Sequence, residues 1–232
     1  MAVPPAGTIL YTFAPPTDSW TGQDIYDQGV FGNGTITDTY DFNQWSYYGG
    51  TPGGYGTTGY CYSYKSGVTN LSNVHRIKCT FSITALPYDL PFDDYPAGVI
   101  GLGYSFNALW NEFSVRGDGK LVLEYDGEQS ISTIVPNTLY EAEIYLDGRN
   151  NPGTRYLYID GELEIEEPFY GPPPATGLLF FEAGPAYNSN GFSTHDHPPL
   201  PQSVEVTTHV QDIIWTMEVP ATARWTMMAV GI

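Results

Sequence analysis

Strict alternation of apolar and polar side chains over residues 76–86 sets Ile77, Cys79, Phe81, Ile83 and Ala85 on one side and Arg76, Lys78, Thr80, Ser82 and Thr84 on the other. A period of two is what a half-buried β-strand requires. The same period over 139–147 turns Tyr140, Ala142, Ile144 and Leu146 inward and Glu141, Glu143 and Asp147 outward. Two hairpins are predicted, because Gly117-Asp118-Gly119 joins 112–116 to 120–126 and Asp160-Gly161 joins 156–159 to 162–166. Their expected buried sets are Leu121, Leu123 and Tyr125 in the first, and Leu157, Ile159, Leu163 and Ile165 in the second. Residues 98–106 form an apolar strand in which Gly101 and Gly103 indicate curvature or a close backbone neighbour. A short strand at 177–182 and a long one at 204–219, with Ile213, Trp215 and Met217 on one face, complete the pattern before a C-terminal strand or arm at 223–230.

The helix breakers agree with this. Gly (26) and Pro (19) are spread so evenly that only 68–86 and 202–219 are long stretches free of both, and both alternate rather than follow a 3.6 period. The expected fold is therefore all-β, an antiparallel β-sandwich or jelly roll with an extended N-terminal segment and a C-terminal arm. Residues 1–68 supply N-terminal strands and a Tyr/Gly-rich segment packed on the domain, 69–220 the jelly-roll core, and 221–232 the arm. Residues 45–64 hold six Gly and six Tyr, a bias that suits ordering by stacking against the domain or a neighbour.

Charge narrows the partners. Eight Lys and Arg against 26 Asp and Glu give a net charge of −18, and the few cations are scattered. Phosphate binding needs clustered Lys and Arg, so nucleic acid is excluded as a partner, and an anionic membrane surface is disfavoured for the same reason. No signal-peptide pattern and no apolar run of about 18 residues is present, so neither classical secretion nor a membrane span is expected. Cys61 and Cys79 lie in strand-like runs and are expected as buried free thiols, with a single bridge as the alternative.

From residue 74 to 219 the order of elements resembles the laminin-G-like and concanavalin-A-like jelly rolls. The resemblance is carried by the long strand Arg76-Ile77-Lys78-Cys79-Thr80-Phe81-Ser82-Ile83, the G-x-L-x-L hairpin at Gly119-Lys120-Leu121-Val122-Leu123, the L-Y-x-D-G run at Leu157-Tyr158-Ile159-Asp160-Gly161, and the closing strand through Trp215. It implies the sandwich fold. Modules of this kind serve as lectins, glycoside hydrolases and non-enzymatic parts of bacteriophage particles, so the function must come from a site.

Several constellations compete for that role. Glu162, Glu164 and Glu166 resemble the E-x-D-x-E strand of retaining glucanases, whose chemistry needs two carboxyls about 5–5.5 Å apart. Alternate residues on a strand are roughly 7 Å apart, which is within reach, but here the run follows the Asp-Gly hairpin directly and its middle acid is Glu. A solvated strand face is the plainer expectation. Asp89, Asp93 and Asp94, between prolines, offer oxygens to Ca²⁺ without any fixed ligand spacing, so no cofactor is assigned and Ca²⁺ stays an option. His195-Asp196-His197 lacks a recognisable fourth metal ligand. Arg116-Gly117-Asp118 is explained by the hairpin.

Aromatic residues are the remaining surplus. Trp45, Tyr47, Tyr48, Tyr55, Tyr60, Tyr62 and Trp225 suit either subunit contacts or stacking on sugar rings. The leading expectation is a non-enzymatic virion structural protein, made in the host cytoplasm. It would be a bacteriophage capsid decoration or tail-associated protein that binds major capsid or tail subunits and forms a homo-oligomer. The alternatives are a lectin-like module binding a host-surface glycan and, after that, a glycoside hydrolase.

Overall fold

The computed structural model describes residues 8–13, 21–26, 41–48, 56–86, 97–103, 109–123, 129–169, 177–183 and 204–219. Thirteen strands are found there: β1 (Thr8–Phe13), β2 (Thr21–Tyr26), β3 (Asp41–Tyr48), β4 (Gly56–Thr69), β5 (Val74–Ile83), β6 (Ala97–Gly103), β7 (Leu109–Val115), β8 (Leu121–Leu123), β9 (Tyr140–Asp147), β10 (Gly153–Ile159), β11 (Glu162–Phe169), β12 (Leu178–Ala183) and β13 (Val204–Val219). All pairings between them are antiparallel. Among the described residues there is no helix long and apolar enough to cross a membrane.

Hydrogen bonds link the strands in the order β11-β10-β9-β5-β13-β3-β4-β12-β6-β7-β8, with β1 beside β13 and β2 beside β4. This path folds back on itself. Phe81 of β5 meets Phe113 of β7 edge-on, with ring centroids 5.0 Å apart, although five strands separate β5 from β7 along the path. One core joins Ile77, Cys79, Phe81 and Ile83 of β5 to Ile100 and Leu102 of β6 and Phe113 and Val115 of β7. The architecture is thus an all-β antiparallel sandwich of the jelly-roll class, and β3 and β4, which overlap the Tyr/Gly-rich segment, lie between its two layers along the path.

The alternation expected for β5 and β9 is observed, with Ile77, Cys79, Phe81, Ala142, Ile144 and Leu146 all buried. Cys79 is a free thiol, and burial pushes its pKa far up. At the tip of the β10–β11 hairpin Asp160 (φ 50°) and Gly161 (φ 82°) are both left-handed, the signature of a type I′ turn that only residues tolerant of positive φ accept. The β7–β8 turn uses Gly119 at φ 80°, where a Cβ would lie 2.7 Å from Thr133 Cγ2.

Two bulges change faces in ways that alternation alone misses. On β11 the register slips between Leu157 and Tyr158, so Ile165 opposes Leu157 but Leu163 opposes Tyr158. Leu163 therefore leaves the expected core set and packs with Val74, Tyr145 and Tyr158 on the opposite side. On β13 the pairing with β5 slips between Gln211 and Ile214, and Asp212 takes φ 53°. The inward set consequently switches from Val206, Thr208 and Val210 to Ile213, Trp215 and Met217, which keeps a sixteen-residue strand buried along one side.

β11 ends the sheet path. Glu162, Glu164, Glu166, Glu167 and Pro168, with the bulge, make it a poor template for an added strand.

Candidate functional site

The side of β10-β9-β5-β13 turned away from the core carries two rows that cross the whole layer. One runs Glu166, Tyr156, Tyr145, Arg76, Thr216, and the next runs Leu163, Tyr158, Glu143, Lys78, Ile214. Each row follows from the period of two, since these are the positions left over once the inward residues are in the core. Pairing β5 with β9 sets Lys78 directly opposite Glu143, a favourable cross-strand pair.

Glu143 is the hub. Its Oε1 lies 3.1 Å from Arg76 Nε, and its Oε2 lies 2.9 Å from Lys78 Nζ. Arg76 Nε is also 3.5 Å from Glu218 Oε1, and Thr216 Oγ1 is 3.4 Å from that same oxygen. The Arg76 guanidinium carbon sits 5.4 Å from the centre of the Tyr145 ring, within cation–π range. Tyr145 and Tyr156 have ring centroids 5.9 Å apart, and Tyr156 stacks on Tyr158 at 6.5 Å.

Exposure along this face is graded. Tyr145, Tyr158, Glu143 and Glu218 are buried by their neighbours, Tyr156 and Arg76 are half-buried, and Glu141 and Glu166 are exposed. Tyr156 is therefore the ring the face presents, held from behind by two others. Burial raises the pKa of all three phenols above the ordinary tyrosine value, with Asp147, Glu166 and Tyr156 respectively the next contributors at Tyr145, Tyr156 and Tyr158. A phenol shifted in that direction is a poor base at neutral pH.

The sequence candidates fall elsewhere. Glu164 is the bulged residue of β11, buried, with its Oε2 accepting the Ser132 amide at 2.7 Å. Glu162 is exposed beside the hairpin turn, and Glu166 is exposed opposite Tyr156. The bulge thus breaks the single-sided carboxylate row that glucanase-like chemistry requires, and the solvated-face expectation fits Glu162 and Glu166 but not Glu164. Trp45, Tyr47 and Tyr48 are in β3, and Tyr60 and Tyr62 are in β4, but their side chains lie outside the described residues. Tyr55, Trp225, Asp89, Asp93, Asp94 and the 195–197 triplet also lie outside them. Among the described residues no three His, Cys, Asp or Glu side chains gather as metal ligands would.

Sequence reasoning missed Arg76, Lys78, Glu143, Tyr145, Tyr156, Tyr158 and Glu218 as a group. The available signal was Tyr156 and Tyr158 at i and i+2 on a strand, which puts aromatics where the alternation calls for polar residues.

No family model matches the chain, and no curated protein matches it. Among solved structures it is similar to an alginate lyase of polysaccharide lyase family 7 (16% identity, 78% of this chain and 80% of that one, TM-score 0.47). It is also similar to the family 7 alginate lyase of Zobellia galactanivorans (12%, 88% and 100%, TM-score 0.48). A sialidase matches at 12% identity over 75% of this chain and 17% of its own length, with a TM-score of 0.47. This chain spans less than a fifth of that sialidase. At these identities and scores no substrate, catalytic residue or assembly is carried across.

Proposed function

We propose that this protein is a non-catalytic β-sandwich module that binds a glycan across the outer face of β10-β9-β5-β13. The observation that carries the reading is the half-buried Tyr156 ring, backed by Tyr145 and Tyr158 and set directly opposite the exposed Glu166. Sugars are recognised by flat aromatic surface for their C–H faces and by fixed charged acceptors for their hydroxyls, and this face offers both, pre-ordered. Among the described residues, binding is favoured over hydrolysis because Arg76 stands between Glu143 and Glu218 and because the bulge separates Glu164 from Glu166.

The test is a glycan array probed with wild type and with Tyr156→Ala. Wild type is expected to bind a defined set of glycans, and the variant to lose roughly tenfold or more in affinity, the order of magnitude for one stacked ring and its buried surface. Circular dichroism of both proteins checks that the fold survives. Wild-type silence on the array, or undiminished binding by a folded variant, would remove the reading.

A second reading, the virion decoration or tail-associated subunit, is favoured by one feature. The 129–139 loop presents Ile131, Val135 and Leu139, all more than half exposed, yet is pinned by Lys120 Nζ to the Ile131 carbonyl, Ile134 N to the Gly119 carbonyl and Asn137 N to the Ile83 carbonyl. A rigid aliphatic display of this kind suits a protein contact. Mass spectrometry of gradient-purified particles from the source of the chain would show a fixed copy number relative to the capsid protein if this holds, and absence from particles would refute it.

A further inference from the structure

We infer that the outer face selects uncharged glycans and rejects polyuronates and sialylated chains, an inference that rests on the glycan-binding reading of the same face. Recognition of a sugar carboxylate requires a cation with donors to spare. The three cations at this face, Arg76, Lys78 and Arg149, each already face a carboxylate, and Arg149, which acts on the Tyr145 and Tyr156 phenols, is hydrogen-bonded to Asp147. Arg76 spends its Nε edge between Glu143 and Glu218 and lies against Tyr145, and Lys78 Nζ is held by Glu143 Oε2.

The sign of the face points the same way. Arg76, Lys78 and Arg149 share it with Glu143, Glu218, Asp147 and the exposed Glu141 and Glu166, so carboxylates outnumber cations. A chain bearing one carboxylate per sugar would bring like charges together next to Glu166 and Glu141, and the protein's net charge of −18 adds a long-range barrier. A neutral sugar meets the opposite situation. Its hydroxyls donate to carboxylates, the stronger class of hydrogen bond, while its apolar face lies on Tyr156. The ion network then acts to hold the acceptors still, and Glu166, directly opposite Tyr156, becomes the group beside the sugar that decides charge preference.

The deciding experiment is calorimetric titration of the full chain with neutral hexamers of glucose, mannose or galactose and with mannuronate and glucuronate hexamers of the same length. Wild type is expected to bind at least one neutral series, with every uronate series at least about tenfold weaker at low salt and the gap narrowing as salt rises. Glu166→Gln is expected to weaken the neutral hexamer by roughly threefold to tenfold, the cost of a charge-assisted hydrogen bond turned neutral, and to relieve the uronate penalty. Tighter binding of a uronate than of any neutral hexamer would overturn this inference and leave glycan binding standing. Binding of neither class, together with a silent array, would overturn both.

Discussion

Arg155→Ala is expected to destabilise the protein by about 3–5 kcal/mol, read as a lower urea midpoint with an unchanged slope. Arg155 of β10 and Glu167 of β11 face each other across the ladder on the core side, and Arg155 Nε donates to Glu167 Oε1 at 2.7 Å. Their side chains are only 4% and 6% exposed. Removing the guanidinium takes away the cation 2.7 Å from a buried carboxylate, and the cost of keeping that charge in the interior, rather than the loss of one contact, sets the size of the effect. The control is the double substitution Arg155→Met with Glu167→Met, which removes both charges and is expected to restore most of the loss. A single variant within about 1 kcal/mol of wild type would mean that water reaches Glu167.

Acidification between pH 6.5 and 4 is expected to cost a further 3 kcal/mol or so through one residue. His75 lies on the core side of β5, opposite Met217 of β13 and Leu146 of β9, with Nδ1 accepting from Trp215 Nε1 at 3.4 Å and Nε2 without a hydrogen-bond partner among the described residues. Burial lowers its pKa from 6.5 to about 4, and the Ser72 backbone, which acts in the opposite direction, offsets only part of this. The unfolded chain therefore takes up a proton on His75 as pH drops through 6.5, while the folded chain takes it up only near 4. Stability is full above 6.5 and is lost progressively down to about 4. Asp147, whose pKa Arg149 holds below 3.8, loses its contribution only as pH falls below that value, so the two windows separate. Urea titrations from pH 8 to 4 on wild type and His75→Gln check this, the variant being expected to flatten the upper part of the slope. A wild-type curve flat above pH 4.5 would contradict this, because it would mean that His75 takes up its proton at the same pH in the folded and unfolded chain.

Much of the fold was legible because a strand half in and half out of a core writes its period into the sequence. The bounds expected for the last strand, 204–219, are those of β13, and Ile77, Cys79, Phe81 and Ile83 are buried as the alternation requires. Both Asp-Gly and Gly-Asp-Gly turns sit where their left-handed residues are needed. The bulges were not legible. Leu163 crosses to the outer side because the backbone gains one residue at Glu164, a choice made by pairing with β10 and not by local composition. Nor was the outer face, since Lys78 and Glu143 become neighbours only when β5 pairs with β9, and Glu218 joins them only through β13. The candidates chosen from local motifs, such as Glu162, Glu164 and Glu166, were adjacent in sequence, whereas the site is assembled across strands.

The measurement closest to the central claim is amide hydrogen exchange of the intact chain with and without a saturating neutral hexose oligosaccharide identified by the array. Slowed exchange is predicted in peptides covering 74–80, 140–147, 153–159 and 162–166, with little change at 129–139. Protection confined to 129–139, or found only outside these strands, would contradict glycan binding at the Tyr156 face.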